Sequence, residues 1–346
     1  MINQLIGYSI NHLRENFPSF SKEGWLREAE TGWCWKTCSF YYFSFFPRSA
    51  VCGPRSFEVL LFYLFGHCYE QSSGDNLLSD SRPIGVFDSG IGGLTVVHEV
   101  FRKLPAESVI YFGDTARVPY GTKSAASVQR FAVQDAAFLM RYDVKMLIIA
   151  CHTASAFAMP ILQDRFDTPI LGVTEPGIEA AIRETRNRRI GVIGTRGTIQ
   201  SNAYANYLKK RRPEVKLYSQ ACPLFVPLVE EGWLDHSVTR EITEIYLAPV
   251  LRNRIDTLIL GCTHYPLLKP VIQEVAGSTV RLIDSAEETA SRVREHLAHH
   301  DLLNESDAPP SHRFFVSDIP AQFQQIGERF LGRPLGVVSQ VEIETG

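Results

Sequence analysis

Short apolar runs alternate with longer amphipathic stretches from Pro83 onward, and this alternation constrains the fold more than any other feature of the chain. The apolar runs predict strands at residues 84–87, 109–112, 146–150, 170–173, 190–193, 215–219, 257–260, 280–283, 314–316 and 336–341. The stretches between them predict helices that include residues 94–104, 124–142, 177–186, 198–211, 236–251 and 286–299. Nearly continuous apolar strands separated by helices are typical of βαβ units, whose mostly parallel sheet is covered on both faces. We therefore predict a doubly wound α/β fold.

Two segments of the chain are similar to later segments at nearly the same offset. Residues 84–90 (Ile-Gly-Val-Phe-Asp-Ser-Gly) resemble residues 190–196, which lie 106 positions later. Residues 147–151 (Leu-Ile-Ile-Ala-Cys) resemble residues 258–262, which lie 111 positions later. Because both matches occur in the same order, they predict two related, pseudo-symmetric α/β domains.

The repeat also suggests where the domains and their shared cleft lie. We expect residues 83–175 plus 285–342 to form the first domain and residues 176–284 to form the second. Each domain carries one cysteine, Cys151 or Cys262, at the carboxyl end of a core strand. Open α/β sheets bind ligands beyond these strand ends. We therefore expect an active site in the cleft between the domains, with one thiol on either side.

The charge balance excludes several classes of partner. The 346 residues include 35 basic and 38 acidic side chains, for a formal net charge of −3. This balance gives no general electrostatic footprint for nucleic acid or an anionic membrane. No apolar run reaches the roughly 18–20 residues that span a bilayer. The seven unevenly spread cysteines do not resemble a short secreted disulfide scaffold. We expect a cytoplasmic globular protein with reduced thiols.

The first 82 residues differ in composition from the rest of the chain. They hold 17 of the 38 aromatic residues and three of the four tryptophans, without clear strand or helix periodicity. Three interpretations remain open: an accessory or partner-binding segment, a partly helical tail, or a translation start at a later non-Met codon. The last is compatible with the absence of methionine between Met1 and Met140. We assign no function to this segment.

Two similar motifs carry the strongest chemical signal. They are residues 150–155 (Ala-Cys-His-Thr-Ala-Ser) and residues 261–266 (Gly-Cys-Thr-His-Tyr-Pro). In each, a cysteine follows a buried strand and precedes a threonine and the start of a helix. Because a helix N-terminus stabilises a thiolate through its dipole and free N–H groups, Cys151 and Cys262 are candidate reactive thiols.

Other roles explain these cysteines less well. Small buried hydrophobes would not require the polar residues that crowd both motifs. A zinc site with two cysteines and two histidines is disfavoured, because adjacent Cys151 and His152 would point to opposite sides of a strand end. A disulfide exchange pair would have the C-x-x-C spacing, which is absent here.

A glycine-rich turn at residues 85–93 (Gly-Val-Phe-Asp-Ser-Gly-Ile-Gly-Gly) does not fit a phosphate site. It lacks both the GxGxxG order of a dinucleotide site and the Lys-Ser/Thr of a P-loop. Tight turn geometry accounts for Gly92 and Gly93. Asp88 would repel a phosphate, so we expect Asp88 and Ser89 to meet a cationic or hydrogen-bonding ligand such as an amino group.

Two further loops are weaker candidates. In residues 114–121 (Asp-Thr-Ala-Arg-Val-Pro-Tyr-Gly), Pro119 and Gly121 predict a turn that presents backbone N–H groups and the Tyr120 hydroxyl. Residues 229–233 (Val-Glu-Glu-Gly-Trp) carry acids that would ordinarily form a solvated helix end.

A thiol on either side of a cleft suits proton transfer at a carbon acid. One thiolate removes a proton from one face while a thiol delivers another proton to the opposite face. A cysteine thiol ordinarily has a pKa of about 8.5, close enough to working pH to act as acid or base. Asp88 and His264 are placed to orient or tune the sulfurs. A hydrolytic cysteine would leave the second thiol without a role.

At these residues the chain resembles the glutamate racemase family, a cofactor-independent group within the aspartate/glutamate racemase superfamily. The similarity runs in order from about residue 83 to residue 341 and leaves residues 1–82 outside it. The matching segments are residues 87–93, 111–114, 119–121, 151, 153–155, 173–177, 227–232 and 261–266.

The resemblance implies interconversion of L- and D-glutamate, which supplies D-glutamate for peptidoglycan. It implies no pyridoxal phosphate and no metal, a small-molecule substrate (glutamate), and no nucleic acid or membrane partner; a homodimer is a candidate assembly. By this resemblance the catalytic residues are Cys151 and Cys262, assisted by Asp88, Glu230 and His264. The implied substrate-binding residues are Asp88, Ser89, Pro119, Tyr120, Gly121, His152, Thr153, Thr263 and His264.

One position departs from the family pattern. The family usually has Asn directly after the first catalytic cysteine, whereas this chain has His152. Histidine still donates one hydrogen bond, but it is larger and can become cationic. Two alternatives to glutamate racemisation therefore remain: a superfamily relative that acts on aspartate or another carbon acid, and a catalytically weak protein repurposed for binding.

Overall fold

The computed structural model describes residues 80–343. The predicted extension therefore lies outside the described residues, apart from its last three positions. The strands are β1 (Ile84–Asp88), β2 (Val109–Gly113), β3 (Met146–Ile149), β4 (Ile170–Gly172), β5 (Arg189–Gly194), β6 (Lys216–Ala221), β7 (Thr257–Gly261), β8 (Arg281–Asp284), β9 (His312–Val316) and β10 (Val338–Gln340). All ten predicted strands are thus found among the described residues, with their ends moved by a few positions.

Helices connect these strands. The α-helices are α1 (Leu94–Lys103), α2 (Ala125–Met140), α3 (His152–Arg165), α4 (Thr174–Glu184), α5 (Arg196–Gln200), α6 (Ala203–Arg211), α7 (Phe225–Glu230), α8 (Ser237–Leu251), α9 (Lys269–Ala276), α10 (Ser285–His299) and α11 (Pro320–Leu331). Short 3₁₀ turns occur at Thr115–Arg117, Tyr120–Thr122 and Tyr265–Leu268.

The strands form two parallel sheets within residues 80–343. The first has the order β10-β9-β2-β1-β3-β4 and the second has the order β6-β5-β7-β8. All of their pairings are parallel, so the predicted doubly wound α/β class is confirmed. The strand order β2-β1-β3-β4 is repeated as β6-β5-β7-β8. Strands β1 and β5 are therefore equivalent, as are β3 and β7, and these are the strands that the sequence repeat relates.

Helices cover both faces of the first sheet. Successive strand residues point to opposite faces, and each face packs against its own helices. On β1, Phe87 is fully buried in a cluster with Ala132 of α2 and Ala158 of α3. Its neighbour Val86 is fully buried in a different cluster, together with Val97 of α1. Both faces are therefore apolar, which explains why the strands of this sheet have nearly continuous apolar sequences.

The second sheet is covered in the same way. Ile190 of β5 packs in a cluster with Ile178 of α4 and Leu208 of α6. Leu258 of β7 belongs to the cluster that contains Leu247 of α8 and Ile272 of α9.

The predicted helix over residues 198–211 is wrong in one respect. It consists of two helices, α5 and α6, which are separated at Asn202, where φ is +55°. Asparagine adopts this left-handed conformation more easily than most residues, so the chain breaks the helix there. The predicted domain bounds stay a prediction. No helix among the described residues is long and apolar enough to cross a membrane.

Candidate active site

The two candidate thiols follow equivalent strands. Cys151 comes two residues after the end of β3 and is the N-cap residue of α3. Cys262 directly follows β7. Both are buried, with 6% of each residue exposed. Because β3 and β7 occupy the same place in their sheets, the two cysteines lie at corresponding positions of the two sheets. The first half of the molecule is defined here by the sheet that contains β3, and the second half by the sheet that contains β7.

A close contact joins the turn after β1 to the Cys262 motif. A Cβ atom added to Gly92, in the turn after β1, would lie 2.2 Å from Thr263 Oγ1 and 2.5 Å from His264 Nδ1. Beside it, Thr95 Oγ1 donates a hydrogen bond to the carbonyl of Thr263 at 2.9 Å. The turn after β1 therefore packs directly on the Cys262 motif, and Gly92 is required because any side chain would hold the two segments apart.

Asp88 and Ser89 lie beside Cys151. The N–H of Ala150 donates to the carbonyl of Phe87 at 2.9 Å, which places the end of β1 next to the Cys151 motif. The Cys151 thiol donates to Ser89 Oγ at 3.5 Å. Asp88 is 1% exposed, and its Oδ2 accepts from the N–H of Gly90 at 3.0 Å. Its Oδ1 has no hydrogen-bond partner within the described residues, so this oxygen is available to a ligand or a proton.

His264 and Glu230 lie beside Cys262. His264 Nδ1 is 3.9 Å from Cys262 Sγ. On the other side of the ring, Nε2 is 2.9 Å from Glu230 Oε1. The ring is also packed edge-on against Phe330, with centroids 5.1 Å apart. The imidazole is therefore held with one nitrogen toward the sulfur and the other on a carboxylate.

Burial keeps both thiols protonated at neutral pH. It raises the pKa of Cys151 to about 11, and the negative charge of Asp88 acts in the same direction. Burial also raises the pKa of Cys262, as do the charges of Cys151 and Asp88 to a smaller extent. The two sulfurs and Asp88 are thus close enough to affect one another. Burial raises the pKa of Asp88 as well, although His264 opposes this effect.

Three threonine hydroxyls connect the halves on the Cys151 side. Thr153 Oγ1 is 3.0 Å from the hydroxyl oxygens of both Thr195 and Thr198. A Cβ atom added to Gly121 would lie 2.7 Å from Thr195 Cβ. The turn that follows Pro119 therefore contacts the second half of the molecule through Gly121.

The Tyr120 hydroxyl does not point into this site. The phenol oxygen lies 2.5 Å from Asp114 Oδ2 and 2.8 Å from Asp135 Oδ2, and the side chain is fully buried. The turn can therefore offer a ligand its backbone groups, whereas the hydroxyl expected from the sequence is engaged elsewhere.

His152 is the first residue of α3 and is 4% exposed. Neither ring nitrogen has a hydrogen-bond partner within the described residues. Burial lowers its pKa to about 3, so the ring is neutral at working pH. A buried, unpartnered imidazole beside Cys151 is a group that a ligand can satisfy.

The turn geometry predicted to require Gly92 and Gly93 is not what requires them. Gly93 has φ −59° and ψ −14°, which any residue can adopt, and Gly92 is not in the left-handed region either. A Cβ atom on Gly93 would lie 2.6 Å from Asp88 Cβ, so close packing, not turn geometry, requires both glycines. No group of three or more potential ligands among residues 80–343 could hold a metal ion.

An open groove of about 360 Å³ lies elsewhere, against β8 and the start of α9, and is lined by Lys269, Arg281 and Asp284 among others. It includes neither cysteine motif and mixes charges of both signs, so we assign it no role.

The chain is similar to known proteins of one family. Residues 84–293 match the model of the Asp/Glu/Hydantoin racemase family. A curated glutamate racemase from Syntrophus aciditrophicus is 54% identical over 262 residues, which cover 76% of this chain and 97% of that protein. A crystal structure of glutamate racemase from Bacillus anthracis superposes with a TM-score of 0.74 at 42% identity, covering 76% of this chain and 98% of that one.

A further solved structure carries a ligand. Glutamate racemase from Francisella tularensis, in complex with D-glutamate, has a TM-score of 0.73 and 42% identity, covering 77% of this chain and all of that one. The chain belongs to the Asp/Glu/Hydantoin racemase family and is an amino-acid racemase, an isomerase. Within that family, its relatives at about 50% identity are glutamate racemases.

Proposed function

We propose that this chain interconverts L- and D-glutamate by proton transfer between the α-carbon and two cysteines, Cys151 and Cys262. The observation that carries the proposal is the pairing of two buried thiols at equivalent strand ends, each beside its own proton-accepting group. The names of its relatives support glutamate as the substrate.

The proposed reaction needs one thiolate and one thiol. The thiolate takes the α-proton, and the electron pair of the broken C–H bond stays on the α-carbon and its carboxylate. The thiol on the opposite face then donates its proton, which forms the new C–H bond and leaves a thiolate. The two sulfurs exchange roles in the reverse direction, so protons and electrons balance over each turnover.

Because burial keeps both thiols protonated, each needs a nearby acceptor when it acts as the base. His264 Nδ1, 3.9 Å from Cys262 Sγ, serves one side, and Glu230 orients this ring by its hydrogen bond to Nε2. Asp88 serves the Cys151 side, since its Oδ1 is unpartnered.

The proposed substrate contacts come from both halves. Asp88 and Ser89 face the amino group, and the backbone of Pro119, Tyr120 and Gly121 together with Thr153, Thr263 and His264 bind the remaining polar groups. His152 contributes one ring N–H, which is unpartnered without a ligand. A panel of D- and L-amino acids tests this assignment, because preferred turnover of aspartate would favour the alternative substrate.

We further propose that the product D-glutamate is used for peptidoglycan synthesis in the cytoplasm, where the buried free thiols Cys151, Cys222 and Cys262 stay reduced. A homodimer is an additional prediction, which light scattering on the purified protein would test.

Solvent deuterium separates a two-base reaction from a one-base reaction. In deuterated water, early turnover should place deuterium at the α-carbon of the product while recovered substrate keeps its hydrogen. A single base would return label to both enantiomers.

The Cys151→Ser and Cys262→Ser variants should each fail to racemise glutamate. Cys222→Ser is the matched control, because Cys222 is also buried and lies after β6, outside the two cysteine motifs. Full activity of either site variant would refute the two-base mechanism.

A further inference from the structure

Two carboxyl groups are completely buried beside the Tyr120 turn. Asp114 follows β2, Asp135 lies on α2, and neither is exposed to solvent. Arg117 bonds both, through Nε to Asp114 Oδ2 at 2.6 Å and through Nη2 to Asp135 Oδ1 at 2.9 Å. The mechanism proposed above uses neither acid, so their role lies in the arrangement of the turn.

Hydrogen counting shows that the two acids are not equivalent. The Tyr120 oxygen lies 2.5 Å from Asp114 Oδ2 and 2.8 Å from Asp135 Oδ2, yet a phenol has one proton to donate. If both acids were ionised, one carboxylate oxygen would face the tyrosine oxygen with no hydrogen between them. A proton on one of the two acids resolves this conflict, because that acid then donates to the tyrosine.

The surroundings identify which acid holds the proton. Asp114 receives hydrogen bonds at both oxygens, from Ser317 Oγ to Oδ1 at 3.0 Å and from Arg117 to Oδ2, so it fits an ionised acceptor. Asp135 Oδ1 accepts from Arg117, which leaves Oδ2 free to carry a proton toward Tyr120. Burial and the charge of Asp114 also raise the pKa of Asp135 well above its ordinary value.

We propose that Asp135 is a neutral carboxylic acid that donates its Oδ2 proton to Tyr120, and that it thereby acts as a positioning residue for the substrate-binding turn. Tyr120 in turn donates to ionised Asp114, whose charge Arg117 balances. Every buried polar atom in this chain of hydrogen bonds then has a partner of the right kind.

The turn transmits this arrangement to the cysteine site. Gly121 packs against Thr195, and the hydroxyl of Thr195 is 3.0 Å from that of Thr153, two residues after Cys151. A displaced Tyr120 would therefore shift a contact between the two halves. This consequence for catalysis rests on the proposed function, whereas the protonation of Asp135 does not.

The test compares two carboxyl-to-amide substitutions. An amide matches a protonated acid, because its oxygen accepts from Arg117 while its NH₂ donates to Tyr120. Asp135→Asn should therefore keep the thermal unfolding midpoint and the KM for glutamate. Asp114→Asn should lower the midpoint and raise KM by about tenfold or more, because a neutral amide replaces the charged acceptor of the hydrogen bonds from Ser317, Arg117 and Tyr120. Asp164→Asn, on the exposed face of α3, is the control for the substitution itself.

Infrared spectroscopy gives a readout that needs neither folding of the Asp114 variant nor racemase activity. The wild-type protein should show the carbonyl stretch of a protonated carboxylic acid at neutral pH, and this band should disappear in Asp135→Asn. If the band is absent from the wild type, or if Asp135→Asn is as damaging as Asp114→Asn, the proposal is overturned. If the wild-type protein does not turn over glutamate, the proposed function is refuted, but the infrared result for Asp135 is unaffected.

Discussion

Arg329 donates hydrogen bonds from Nη1 to the main-chain carbonyl of Glu230 at 3.3 Å and to that of Val229 at 3.2 Å. Arg329 lies on α11, which packs on the first sheet's helix α1, whereas Glu230 ends α7 in the second half. A cation at the C-terminus of a helix also interacts favourably with the helix dipole. Helix α11 thus contacts the main chain of the residue whose carboxylate bonds His264.

Replacing Arg329 by methionine should weaken this arrangement modestly. The side chain is exposed, and such a contact contributes about 0.3–1 kcal/mol, so kcat/KM should fall roughly two- to fivefold. Arg329→Lys should recover part of the loss because it keeps the charge. Steady-state kinetics in both directions give the measurement; an Arg329→Met enzyme with unchanged kcat/KM would show that Glu230 needs no support from α11.

Substitution of Asp88 should mainly slow proton removal from one enantiomer of glutamate, and substitution of His264 should mainly slow it from the other. Asp88 lies beside Cys151, and His264 lies beside Cys262, so each assists proton removal by a different sulfur. Asp88→Asn should increase the α-deuterium isotope effect on kcat for one enantiomer, and His264→Asn should increase it for the other. Equal increases for both enantiomers in one variant would contradict this division of roles.

His152 should make the folded protein sensitive to acid. Burial lowers its pKa from 6.5 to about 3, so between these values the unfolded chain binds a proton that the folded chain does not. The stability that the neutral ring confers is complete above pH 6.5 and is lost as the pH falls toward 3. The unfolding temperature of the wild type should therefore drop more steeply below pH 6.5 than that of His152→Asn.

The substitution His152→Asn should also preserve or raise racemisation, since the family resemblance implies Asn at this position. If the unfolding temperatures of the wild type and of His152→Asn fall equally below pH 6.5, His152 is not the group that makes the protein sensitive to acid. A large loss of activity in His152→Asn would instead assign this histidine a role of its own.

Much of the fold could be predicted because it depends on local pattern. Both faces of each sheet are covered, so the central strands β1, β3, β5 and β7 are nearly continuously apolar and easy to recognise. The apolar periodicity of helix α3 is weaker, since the helix begins at His152, directly after Cys151, and contains Pro160. The break at Asn202 also depends on a single left-handed residue, which a periodic pattern does not reveal.

The candidate site was predictable only in part. Strand ends and the internal repeat pointed to Cys151 and Cys262 from the sequence alone. Contacts between distant segments were not accessible in this way, because spacing along the chain does not show which residues meet. The packing of Gly92 on His264 and the sharing of Tyr120 by two acids are both of this kind.

Lys145 should be one of the most sensitive positions for stability. Its side chain is fully buried, with Nζ 2.6 Å from Glu107 Oε2 and hydrogen bonds to the carbonyls of Asp80 and Leu302 at 2.6 and 2.7 Å. Lys145→Met would leave the buried Glu107 without its cation, so the free energy of unfolding should fall by about 3–5 kcal/mol. Urea denaturation measures this change, and adding Glu107→Gln should restore part of it because the stranded charge is removed. If the double variant is no more stable than Lys145→Met, the loss comes from packing or from the two carbonyls and not from the unpaired carboxylate.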